Sequence, residues 1–196
     1  IKKLPKAIAI AIVSLISFIP FYYTLIAATH STEEVMLGLS LLPGSHLIEN
    51  ITTAMNDTFW VAFKNSMIVS FSAMFCSVSI SLMAGYGLAA YQFKLKRVIY
   101  NFVLLTMMVP SVLGVIGYMQ EMRALRLSGS LLPLILIWFP SGFGVFWITQ
   151  YLQNSLQMEL VESARIDGCN EFFIFLKIVL PCIRPAIISL CLLIFL

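Results

Sequence analysis

The chain has 196 residues, of which 60% are apolar types and only 11% are charged; 12 Lys and Arg stand against 9 Asp and Glu, a net charge of +3. An ordinary soluble domain carries about 25% charged residues, so this chain has too few to clothe a compact water-soluble fold, and it reads as a membrane protein. Disordered, collagenous and nucleic-acid-binding classes are excluded with the soluble one, and the net charge is too small to argue for an anionic partner. Cys76, Cys169, Cys182 and Cys191 form no CxxC pair, and His30 and His46 stand far apart, so no disulfide framework, metal site or cofactor is expected.

A helix needs about 20 apolar residues to cross the hydrocarbon core. Uncharged runs predict spans at roughly 7 to 28, 66 to 91, 98 to 119 and 131 to 152. Lys2, Lys3 and Lys6 precede the first run as they would a signal peptide. Its apolar length and the lack of a clean A-x-A site make it a retained anchor instead. Residues 30 to 60 form a mixed polar loop with Pro43-Gly44 as a turn signal, short enough to fold as a small amphipathic cap. The links at Lys94 to Arg97 and at Glu121 to Ser130 are short, which forces neighbouring helices to run antiparallel. A fifth apolar run starts near Ile178, includes Arg184, and is still apolar at Leu196. With Ile at position 1, both ends read as trimmed, and the whole of 1–196 reads as one transmembrane domain.

Orientation follows from the basic residues. With the N-terminus in the cytoplasm, Lys2, Lys3, Lys6, Lys94, Lys96, Arg97, Arg165, Lys177 and Arg184 lie inside, and only Lys64, Arg123 and Arg126 lie outside.

One segment breaks the hydrophobic pattern. Between Asn154 and Lys177, on the predicted cytoplasmic face, Leu156, Leu160, Val161 and Ala164 recur at helical spacing while Glu159, Glu162 and Arg165 take other faces. Asp167-Gly168 ends that helix, since glycine accepts the left-handed conformation of a helix stop. Asn170 is placed to cap a second short helix, with Glu171 complementing its dipole and Phe172, Phe173, Phe175, Leu176 and Ile178 expected to bury one side. Pro181 and Pro185 then disturb the helix where it meets the bilayer.

These residues carry a resemblance. Glu162-Ser163-Ala164, three residues, Gly168, nine residues, Ile178, one residue and Leu180-Pro181 resembles the EAA loop of the membrane subunits of binding-protein-dependent ABC importers. Asp167 before the glycine, together with the run FWVAFKNSMIVS from Phe59 to Ser70, is similar to the carbohydrate-type permeases such as those for maltose and glycerol phosphate. Ser163 replaces the usual second alanine and Cys169 the alanine that commonly follows the glycine; both are small, so the helix-turn-helix survives. The resemblance implies an all-α polytopic transmembrane bundle, ABC importer type I permease-like, in a bacterial or archaeal inner membrane. It implies a coupling loop over 154–181, in which Glu162, Ser163, Ala164, Asp167, Gly168, Ile178, Leu180 and Pro181 form the ATPase-coupling set. The implied partners are cytoplasmic ABC ATPase subunits, a second homologous permease and an extracytoplasmic solute-binding protein, with the lipid bilayer as surroundings.

The chain has no G-x-x-x-x-G-K-[ST] phosphate loop, so energy must reach it from another subunit, and it is not itself expected to be an enzyme. No predicted span contains His, Asp or Glu, which weakens an intramembrane enzyme and a proton-coupled carrier alike. A permease for a polyamine, phosphate or amino acid is the alternative within the transporter class, and a structural or channel subunit leaves the organised loop unexplained. Asn101, Thr106, Ser111, Trp138, Ser141, Trp147 and Gln150 are polar or aromatic within spans. Sugars favour such groups, but none is assigned as a solute contact.

Overall fold

The computed structural model describes residues 4–38 and 41–196, and every element among them is helical. Lys2 and Lys3, used above for orientation, lie outside the described residues. Contacts divide the chain into two compact units, residues 1–63 and 64–196.

In the first unit, α1 (Leu4–Ala27) is one continuous apolar helix. Pro20 lies inside it and has no N–H to give the preceding turn, while the Thr24 hydroxyl donates to the Pro20 carbonyl at 2.8 Å. The polar loop contains two short helices, α2 (Thr32–Leu37) and α3 (Leu47–Ala54). A capping box starts α2: Ser31 Oγ accepts from the Glu34 N–H, and Glu34 Oε2 accepts from the Ser31 N–H. Asn50 Nδ2 on α3 donates to the carbonyls of Ala28 and His30 at 2.9 and 2.8 Å, and the His46 N–H donates to the Thr29 carbonyl at 2.8 Å. These bonds pin the loop to the C-terminal end of α1. Gly44 is required there, because a Cβ would fall 2.5 Å from the Thr29 carbonyl oxygen.

The spans of the second unit differ from their sequence outlines in informative ways. Helix α4 (Asp57–Ala90) starts well before residue 66. Asn56 Oδ1 accepts from the Phe59 N–H at 3.0 Å, a side-chain cap that starts the helix in polar sequence ahead of the apolar run. The third run is α5 (Lys96–Met108), a 3-10 turn (Ser111–Gly114) and α6 (Val115–Ala124), bent by 86° where Pro110 breaks the ladder. The fourth run is likewise two pieces, α7 (Leu132–Leu136) and α8 (Gly142–Ser155), with Pro140 between them and Ser141 Oγ accepting from the Gly144 N–H at 2.9 Å to open α8. Both breaks occur at the prolines that the sequence places inside the spans.

Helix α8 is the centre of the second unit. Ser77, Ser81 and Gly85 recur every four residues on α4, where their small size lets two backbones approach. A Cβ on Gly85 would stand 2.7 Å from Ile148 Cγ2 and 3.2 Å from the Thr149 backbone nitrogen, and one on Gly144 would collide with Ser81. Gly142 sits as close to Thr106 on α5, and Gln150 Nε2 donates to Tyr100 Oη at 2.8 Å. Replacing Gly85 by Val is therefore expected to force the two helices apart, at an overpacking cost of about 1–3 kcal/mol. The check is thermal unfolding in detergent, where Gly85→Ala should fall between wild type and Gly85→Val; identical melting of all three would show that the crossing can relax.

Candidate functional site

The loop after α8 folds from its own sequence. Helix α9 (Met158–Ile166) buries Val161 and Ala164 and ends in a Schellman stop. The Cys169 N–H reaches back to the Ala164 carbonyl at 3.0 Å, the Gly168 N–H reaches the Arg165 carbonyl at 3.1 Å, and Gly168 itself adopts φ +78°. Asn170 Oδ1 then accepts from the Phe173 N–H at 2.7 Å, capping α10 (Glu171–Ile174) as its residue type predicts.

After α10 the chain widens into one π-helical turn, Phe175–Val179, then α11 (Leu180–Cys182). A π turn relocates hydrogen bonds and commonly lies near a disturbance of the ladder, here the missing N–H of Pro181. The path then bends by 80° into the apolar α12 (Arg184–Phe195), with Pro185 in its first turn.

The burial of this segment corrects one sequence expectation. The inward residues are Ile174 and Val179, fully buried, with Phe175, Ile178 and Leu180 packed partly against the same core. Phe172, Phe173 and Leu176 are exposed instead, Phe172 at 72%. Positions 174, 175, 178 and 179 share one helical face, which the core of Tyr86, Leu152 and Val161 already occupies, so the neighbouring phenylalanines point away from it. Ile166, 86% exposed at the Gly168 turn, adds to this outward apolar surface.

Each residue of the predicted coupling set can be located. Glu162, Asp167 and Gly168 are exposed, Ser163 is exposed with its hydroxyl on the Glu159 carbonyl at 2.7 Å, and Ala164 is buried. Ile178 and Leu180 brace the inner face, and Pro181 is exposed at the π-to-α step. They share one compact loop with two faces: an outward one around Gly168 and an inward one that seats the loop on the bundle.

The group that fixes the loop is one that sequence reasoning missed. Glu171 serves as more than a dipole complement: its Oε1 accepts from Arg165 Nε at 2.6 Å, and its Oε2 accepts from Arg165 Nη2 at 3.2 Å, from Tyr91 Oη at 2.6 Å and from Tyr86 Oη at 3.1 Å. The Arg165 guanidinium also lies over the Tyr91 ring, 5.3 Å from its centre. One carboxylate thus ties both loop helices to the end of α4. Its hydrogen bonds from Arg165, and then from Tyr91, hold the Glu171 carboxyl down at about 2. Because that value lies below the usual glutamate range, the clasp contributes in full above that range and is lost only as the pH falls toward about 2. The sequence signal was the Tyr86-to-Tyr91 pair at the end of the second span, which has no meaning until the partner carboxylate is known.

Among the span residues, Trp147 Nε1 donates to the Ala186 carbonyl at 3.2 Å and joins α8 to α12. Thr106, Pro110, Trp138, Pro140 and Ser141 line a cavity of about 560 Å³ at the two proline breaks.

Residues 77–196 match the family of binding-protein-dependent transport system inner membrane components. The chain belongs to this family. As an inner membrane component of this type it is a transport subunit rather than an enzyme, and the matched residues take in the clasp, the Gly168 turn and α12. The arabinooligosaccharides transport system permease protein AraQ of Halalkalibacterium halodurans is 30% identical over 95% of this chain and 68% of its own length. AraQ of Bacillus subtilis is 32% identical over 88% and 63%, and the sn-glycerol-3-phosphate transport system permease protein UgpE of Escherichia coli 28% over 83% and 60%. The chain thus spans about three fifths to two thirds of these relatives. A chain from the crystal structure of a bacterial ABC transporter involved in the import of the acidic polysaccharide alginate has the same fold, with a TM-score of 0.86, 20% identity, and coverage of 98% of this chain and 69% of that one.

Proposed function

We propose that this inner membrane component forms half of the translocation pathway of an ATP-driven importer for a sugar or sugar derivative. Its 154–181 loop, with Glu162, Ser163, Ala164, Asp167, Gly168, Ile178, Leu180 and Pro181, is the coupling element toward cytoplasmic ATPase subunits. The N-terminus and this loop lie in the cytoplasm, a second homologous permease completes the pathway, and an extracytoplasmic binding protein delivers the solute. The solutes named for the relatives, arabinooligosaccharides and sn-glycerol-3-phosphate, favour a carbohydrate-type solute over a polyamine, phosphate or amino acid.

The observation that carries the reading is the loop's two-sidedness. Its inner face is locked to the bundle by Glu171 and by Ile174 and Val179, while Ile166, Phe172 and Phe173 stand exposed beside the Gly168 turn. Such a rigid knob suits a groove in a nucleotide-hydrolysing subunit: movement of the groove would tilt the attached spans as bodies, the motion that alternating access requires. The test is purification of the tagged full-length protein from its native membrane, with mass spectrometry of what accompanies it. An ATPase and a second permease should co-purify, and an Ile166→Asp/Phe172→Asp double variant should lose the ATPase while keeping the permease. Recovery of neither from mild detergent would overturn the assignment.

A further inference from the structure

A second polar feature follows Tyr91 directly in the chain. The turn after α4, the start of α5 and the last turns of α8 enclose a recess of about 320 Å³. Lys94, Lys96 and Arg97 line it together with Gln92, Tyr100 and Gln153, and no carboxylate does. Lys96 is committed, since its Nζ donates to the Tyr91 carbonyl at 3.0 Å. Lys94 and Arg97 have no ion-pair partner among the described residues, where the ion pairs are Arg165 with Glu171 and His46 with Glu34. Tyr100 Oη accepts from Gln150 Nε2, which leaves its own proton free for another acceptor. The recess therefore presents two unpaired cations and a free hydroxyl donor, a set complementary to a phosphate anion.

What adjoins the recess selects the source of that phosphate. Phe93 lines the recess and Leu95 lies between the cations in sequence, both exposed. Cations with exposed aromatic and aliphatic neighbours match a headgroup beside its acyl chains. We infer that this recess holds the phosphate of an anionic phospholipid, with Lys94 and Arg97 as its charged ligands. Given the orientation proposed above, the lipid belongs to the cytoplasmic leaflet.

The test uses the full-length protein assembled with its partner subunits in phosphatidylcholine nanodiscs containing a titrated fraction of phosphatidylglycerol, with native mass spectrometry of the retained lipid. Each basic residue near an anionic lipid surface is worth about 1 kcal/mol, or about fivefold. A Lys94→Gln/Arg97→Gln variant is thus expected to lose about 25-fold of the preference for phosphatidylglycerol, and Lys94→Arg/Arg97→Lys to restore it. Equal retention of both lipids by the wild type, or an unchanged preference in the Gln variant, overturns the inference. Displacement of the lipid by millimolar inorganic phosphate would assign the recess to free anions and overturn it as well. Nanodiscs expose both leaflets, so this readout is independent of orientation. Orientation is read separately by labelling Gln92→Cys with an impermeant maleimide in a chain whose native cysteines are serines.

Discussion

Gly168→Val is expected to lower solute uptake at least about tenfold while leaving the amount of protein in the membrane nearly unchanged. Gly168 sits at φ +78°, and nothing lies within 4 Å of where its Cβ would be, so the penalty comes from the backbone and not from a collision. A left-handed conformation costs an ordinary residue about 1–2 kcal/mol, and a β-branched one more. The turn relieves that strain by abandoning the Schellman stop. The Cys169 and Gly168 N–H groups then lose their carbonyls, and α10 no longer follows α9 at its native angle. The spans form elsewhere, so insertion survives. Asn tolerates the left-handed region, which makes Gly168→Asn the discriminating control: it should keep most of the uptake. Equal loss in both variants would point to the missing space of a glycine and against the conformational account, and normal uptake in Gly168→Val would remove the turn from the coupling mechanism.

Glu171→Ala should loosen the loop from the bundle and uncouple hydrolysis from uptake. It removes the acceptor of four hydrogen bonds, two from a guanidinium that is left half-buried with only the Tyr91 ring beside it. Bonds to charged groups contribute about 1.5–3 kcal/mol each, but water reaches both side chains and the bonds share one carboxylate, so a total of about 2 kcal/mol is expected. The loop end should melt ahead of the core, readable as faster amide exchange over 158–175 with protection in α8 retained. In the assembled importer, if the loop couples as proposed, the ATPase rate should persist while uptake falls, because the outward residues of the loop remain and their link to α4 is gone. Tyr91→Phe, which removes one bond, should lie between the two. A cycle of Arg165→Gln and Glu171→Gln separates the pair from its parts; additive effects would show that the carboxylate works through the tyrosines alone.

Much of the architecture was legible in the residue order because it depends on neighbours in sequence. Long uncharged runs mark helices that lipid requires to satisfy their own backbone groups, which is why α1 and the apolar part of α4 were readable. The outlines at 98 to 119 and 131 to 152 left both runs undivided, although Pro110 and Pro140, each without an N–H to give the preceding turn, lie at their breaks. The Gly168 stop and the Asn170 cap were readable because caps are bonds over three to five residues. The start of α4 at Asp57 was missed because polarity was taken as the helix boundary, whereas the Asn56 cap set it.

The sequence by itself determined a membrane-embedded all-helical chain and a loop whose residue spacing resembles the coupling loop of importer permeases. Only the tertiary structure decided which side of that loop faces outward. Periodicity fits Phe172, Phe173 and Phe175 to a buried stripe equally well until the core of Tyr86, Leu152 and Val161 claims the face of Ile174 and Val179. The tertiary fold also decided that Glu171 joins Tyr86 and Tyr91 across 85 and 80 residues of chain, and that Ser81 and Gly85 are small because α8 lies against them. These are contacts between helices, and a linear pattern records which side of each helix is apolar without recording which helix will meet it.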